Sequence, residues 1–119
     1  MFMKLMVDDN IFKVKLAVSP EAIKKGMMFQ EFDESFDGMY FIMPRTSNHC
    51  FWMKNCIIPL DVLMINDNII TKIYHNCPPC DTEECVTYCG FGNKAIELPG
   101  GTCKSLGIKE GMDISFSLF

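Results

Sequence analysis

Four cysteines fall within residues 77–89 in the spacing C-x2-C-x4-C-x3-C: Cys77, Cys80, Cys85 and Cys89. Thiolates are soft ligands, and two tight pairs facing one another can hold a tetrahedral zinc ion. The spacing is close to that of a zinc knuckle with cysteine in place of the usual histidine. A metal would restrain a stretch that has no hydrophobic pattern of its own. The same sulfurs can instead pair as disulfides, or Cys77 and Cys80 can carry out thiol–disulfide exchange. That last chemistry is favoured at a helix start, which Pro79 and the acidic residues after it do not announce. His75 can replace one thiolate as a ligand, although a lone histidine more commonly caps a strand end. Asp81, Glu83 and Glu84 flank the cysteines and would repel phosphate, so a metal held here is structural.

A second group of residues could do acid–base or binding chemistry. Trp52, Lys54, Asn55 and Asp61 lie close in sequence, and Glu97 is a candidate neighbour from another strand. Together they could form a polar pocket with an aromatic wall. Asp61 and Glu97 would serve as a carboxylate pair, as in hydrolysis of a carbohydrate or cell-wall-like substrate. The structural alternative makes Trp52 a core aromatic. Asn55 and Asp61 then bond the backbone of the turn around Pro59, and Lys54 pairs with a carboxylate at the rim. No histidine or serine in these motifs completes a nucleophilic arrangement, which favours the structural alternative. The ten methionines are scattered, as core filler is, and not gathered as a Cu(I) site requires.

The elements that must position these groups are short. Residues 3–7 and 11–18 alternate as strands about the turn formers Asp8, Asp9 and Asn10. Ser19, Pro20 and Glu21 start a helix that Gly26 stops. A strand over 38–43 ends at Pro44, a loop spans 45–49, and another strand covers 50–54. Residues 60–65 and 69–75 form a second hairpin around Asn66, Asp67 and Asn68. Residues 76–93 are then a long connection without apolar periodicity, which needs its own restraint or a function. A strand over 94–98, a helix over 102–106 and a last strand over 112–119 complete the chain. About eight short strands and two short helices predict a mainly β, α+β architecture: a curled antiparallel sheet or small barrel.

Composition narrows the function. The chain has 119 residues with formal charge −4, which predicts one domain over 1–119 and disfavours a nucleic-acid partner. Arg45 is its sole arginine. No apolar run is long enough to span a bilayer, and the first ten residues lack the pattern of a secretory leader, so a cytoplasmic protein beginning near Met1 is expected. In that reducing compartment clustered cysteines more often bind metal or do redox work than form staples.

The run Phe51-Trp52-Met53-Lys54-Asn55-Cys56-Ile57-Ile58-Pro59-Leu60-Asp61 closely resembles the signature of the bacterial family called domain of unknown function 192. Gly26-Met27-Met28, Gly38-Met39-Tyr40-Phe41, the segment from Ile96 to Gly101, and Gly107-Ile108-Lys109-Glu110-Gly111 resemble further motifs of that family, in order. The chain departs from the pattern at Gln30, where arginine is common, at Cys56, where threonine is common, and at Asp113, displaced behind Met112. The resemblance implies a compact, mostly β fold and no established activity. It also implies a Cys80–Cys85 pair, which leaves nested disulfides, Cys80–Cys85 inside Cys77–Cys89, as the alternative to zinc. The asparagine- and isoleucine-rich composition resembles family versions carried by tailed phages, so the cytoplasm of an infected bacterial cell is the specific expectation. The function expected is that of an accessory or binding module acting on a protein or small molecule, with the hydrolase as its rival.

Overall fold

The computed structural model describes residues 1–118. The chain runs β1 (Phe2–Val7), β2 (Asn10–Ala17), α1 (Pro20–Lys25), β3 (Gly38–Trp52), β4 (Leu60–Asn66), β5 (Ile69–Cys77), β6 (Thr87–Pro99), α2 (Thr102–Leu106) and β7 (Ile114–Ser117). These strands form one sheet in the order β5-β4-β6-β3-β2-β1-β7. Only β2 and β3 are parallel, because α1 lies in the crossover between them. The expected curled, mainly antiparallel sheet is present. The part of the expected last strand at residue 119 lies outside the described residues.

Local signals set the helices. The Ser19 hydroxyl accepts the Ala22 N–H at 3.1 Å, and Pro20 occupies the first turn. Gly26 ends α1 at φ +48°, the left-handed side that glycine tolerates.

Two expectations need correction. Pro44 does not end a strand: β3 continues to Trp52, and its register against β6 shifts between Ile42 and Ser47. The irregularity accommodates a residue that cannot donate to the ladder. Residues 76–93 are not one long connection either. β6 begins at Thr87, where pairing with Trp52 supplies the order that apolar periodicity does not.

The sheet carries a core on each face. Leu5, Val14, Tyr40, Leu63, Ile65, Ile96, Leu98 and Ile114 point into the curl, and Cys103 and Ile108 pack with them. Segment 111–114 draws the sheet round by bonding β5 and the turn before it: Gly111 N–H donates to Ile70 and Ile114 N–H to Asn68. The outer face of β3, β4 and β6 presents Met39, Phe41, Val62, Met64 and Ala95. Ala22 and Ile23 of α1, together with Met27, Phe36, Met53 and Cys56, cover it. β4 is buried on both sides from residue 60 to 65, so its residues are apolar except Asp61. Among the described residues no helix is long and apolar enough to cross a membrane.

Candidate functional site

Glu97 sits on β6 opposite Met39 of β3 and Val62 of β4, and so projects from the outer face. It is 3% exposed, and its Oε1 has no hydrogen-bond partner. Gly26 passes over it so closely that a Cβ there would lie 3.3 Å from the Phe41 ring and 3.6 Å from Glu97 Oε1. Beside this carboxyl is a cavity of about 300 Å³. Met27, Phe41, Met43, Phe51 and Cys56 form its apolar lining, and Trp52, His49, Lys24 and Lys25 also border it. Lys24 and Lys25 are exposed, so they stand at the mouth.

Burial disfavours the ionised carboxylate and pushes Glu97 up to about 8. Near neutral pH the group is therefore a carboxylic acid, able to donate one hydrogen bond and accept others. Burial, and secondarily Glu97, push the Cys56 thiol up to about 12, which leaves it a neutral, weak nucleophile.

Asp61 takes no part in this cavity. Its partner across the β4–β6 ladder is Leu98, whereas Glu97 pairs with Val62. Successive side chains on a strand alternate between faces, so the two carboxyls point to opposite sides of the sheet. Asp61 Oδ1 accepts the N–H groups of Asn76 at 2.8 Å and Gly101 at 3.0 Å, and Oδ2 accepts that of Cys103 at 2.8 Å. It thereby holds the end of β5 and the first turn of α2 from a distant strand. The carboxylate pair expected for hydrolysis does not form, and the backbone that Asp61 bonds is not the turn around Pro59.

The other expected residues divide. Trp52 borders the cavity with Glu97 but is 43% exposed, so it is not a core aromatic. Lys54 donates its ammonium to the Thr82 carbonyl and, among the described residues, pairs with no carboxylate. Asn55 acts through its backbone at φ +62°: its N–H donates to Cys80 and its carbonyl accepts from Phe29. Met27, Phe41, Phe51 and Cys56 went unrecognised as lining. Met27 and Phe41 lie in the Gly26-Met27-Met28 and Gly38-Met39-Tyr40-Phe41 segments, and Phe51 and Cys56 in the run from Phe51 to Asp61; their convergence depends on the crossover through α1.

The four cysteines of residues 77–89 do not gather around one point. Cys80 is bonded to Cys85, and Cys89 is bonded to Cys50. Cys77 is a buried free thiol, as are Cys56 and Cys103. Among the described residues no three His, Cys, Asp or Glu side chains are grouped to hold a metal ion. The zinc site on Cys77, Cys80, Cys85 and Cys89 is thus overturned, with His75 as a substitute ligand and the Cys77–Cys89 bridge. The cause is the early start of β6, which puts Cys89 directly across the ladder from Cys50. Cys77, at the end of β5, turns into the outer core.

The two disulfides flank the Trp52 segment. Cys50 precedes it and also borders the cavity. Beyond it, Cys80 N–H donates to the Met53 carbonyl at 3.1 Å and accepts from Asn55 at 3.0 Å through its own carbonyl.

Comparison with known proteins gives a family and solved structures of similar fold. The model of DUF192, described as Uncharacterized ACR, matches residues 3–116. A crystal structure of a protein provisionally called a transcription regulator, from Sinorhizobium meliloti 1021, superposes with a TM-score of 0.82 at 29% identity. The match covers 97% of this chain and 92% of that one. A protein of unknown function from Novosphingobium aromaticivorans DSM 12444 superposes with a TM-score of 0.82 at 28% identity, over 97% of this chain and 84% of that one. No curated protein matches the sequence.

Proposed function

The chain belongs to the DUF192 family, and from that premise we propose that it is a single-domain binding module whose ligand is a small molecule held between α1 and the outer face of β3 and β6. One observation carries this reading: a buried carboxyl with an unpartnered oxygen beside an apolar cavity. A buried polar atom without a partner is costly in a folded protein. A ligand group that bonds Glu97 removes that cost on binding. The cavity volume of about 300 Å³ lies at the lower end of the range for small-ligand pockets. The disulfides serve the module as staples on its Trp52 wall.

DNA binding, which the name given to the Sinorhizobium protein would suggest, has little support in this chain. Its net charge is −4, and the two helices have six and five residues, too short for a recognition helix in the major groove. Two disulfides favour an oxidising compartment over the cytoplasm of a bacterial or phage-infected cell.

A fragment screen read by NMR tests the module. Hits should shift the Trp52 indole and the Met27 methyl together, and Glu97→Leu should weaken them. Hits that gather elsewhere and ignore Glu97 would overturn the reading.

A further inference from the structure

We propose that the ligand of this cavity is a small amine, bound as its ammonium cation on Glu97 with its apolar body against Phe41 and Trp52. The inference rests on the pocket reading above and names the chemistry of its occupant. The unpartnered Oε1 can accept a hydrogen bond, and an ammonium group has only donors to offer it. A neutral ligand would be served equally by an amide side chain, which is cheaper to bury than an ionisable one. An anion would be repelled by Glu97 once that group ionised. Phe41, Phe51 and Trp52 all line the cavity, and aromatic faces attract organic cations most strongly away from water.

The charges around Glu97 leave the countercharge to the ligand. Burial is what pushes the Glu97 carboxyl up. On α1, Lys24 and Lys25 are exposed at the mouth, where solvent screens them. They favour an amine whose far end is neutral or anionic. From β3, His49 borders the cavity and bonds the Arg45 carbonyl at 2.9 Å. The Cys56 and Cys77 thiols, pushed up to about 12 and about 11 chiefly by burial, stay neutral. Asp61 lies on the adjacent strand but faces the other core.

Binding then has a proton balance. Glu97 enters as the carboxylic acid, the ammonium arrives with its own charge, and the carboxyl proton leaves to buffer. An ammonium–carboxylate pair remains, and one proton is released per ligand.

Three probes of one shape test the class: 2-phenylethylamine, 2-phenylethanol and phenylacetate, titrated calorimetrically and by the Trp52 indole signal. The amine should bind at least about tenfold more tightly than the alcohol at neutral pH, a difference expected of a charge-assisted bond. Its affinity should rise by about tenfold per pH unit between about pH 5 and 7 and flatten near pH 8, as one linked proton requires. Buffers of different ionisation enthalpy should report that proton. His49→Gln should retain the slope, and Glu97→Gln should erase it. Equal or tighter binding of the alcohol or phenylacetate, or amine binding that is flat with pH, would refute the cation and leave the pocket reading standing. If none of the three perturbs Trp52, both readings fall. The pH slope of the unaltered protein decides the matter even if Glu97→Gln does not fold.

Discussion

Asp61 and Glu97 stand one residue out of register on neighbouring strands, yet the two faces of the sheet treat them oppositely. On the inner face Asp61 meets three backbone N–H groups and is fully committed to them. On the outer face Glu97 has an oxygen with no partner and open space beside it. The inner core is mainly aliphatic and closed by α2, whereas the outer one mixes methionine, cysteine and aromatic side chains under a short helix and loops. A buried carboxyl is therefore informative only with its partners. The one that is saturated organises the fold, and the one that is not is available to something else.

The contrast makes its largest prediction at Asp61. Asp61→Ala should cost on the order of 5 kcal/mol, because it strands three N–H groups that a charged acceptor now satisfies. Chemical denaturation measures this, and a loss below 1 kcal/mol would remove the distinction between the faces.

Glu97 should act next, through pH. Its folded pKa of about 8 lies above the ordinary 4.5. Between those values the folded state keeps a proton that the unfolded state has lost. Stability is thus highest below about pH 4.5, falls as pH rises through the window, and levels off above 8, a loss on the order of 5 kcal/mol. Glu97→Gln should flatten this component. Urea denaturation of both proteins at matched pH isolates it, and parallel profiles would mean that Glu97 is not held protonated.

The cores can be compared directly. Leu63→Ala on the inner face should cost about 3 kcal/mol, whereas Met43→Ala should cost about half as much, because Met43 already borders open space. Equal costs in thermal unfolding would show the outer face to be as tightly packed as the inner one. The smallest effect belongs to Trp52→Ala, at about 1 kcal/mol. A buried tryptophan would cost about 3–5 kcal/mol, the value that a core position implied.

Much of this fold was legible because its signals are local. The Asp8-Asp9-Asn10 and Asn66-Asp67-Asn68 turns, the Ser19 cap and the Gly26 stop each act within a few residues. What was not legible depends on partners far along the chain. Pro44 reads as a strand end until β6 is there to pair on either side of the shift. Cys89 reads as a partner for its sequence neighbours until the ladder sets it across from Cys50, 39 residues away. The faces of Asp61 and Glu97 follow from register, which neither hydropathy nor spacing encodes. Trp52 is apolar by type, and only the position of α1 and Gly26 makes it a wall and not a core residue.

The Cys50–Cys89 bond also sets how far this molecule can be stretched. It encloses the β4–β5 hairpin in a covalent ring, with the Cys80–Cys85 ring inside it. A force applied to the two ends passes through the bridge and bypasses the chain between its cysteines, which are 39 positions apart. The fully drawn-out chain is therefore shorter by about 130 Å than the same chain with reduced sulfurs. Once the sheet has come apart, the backbone of that hairpin bears none of the load.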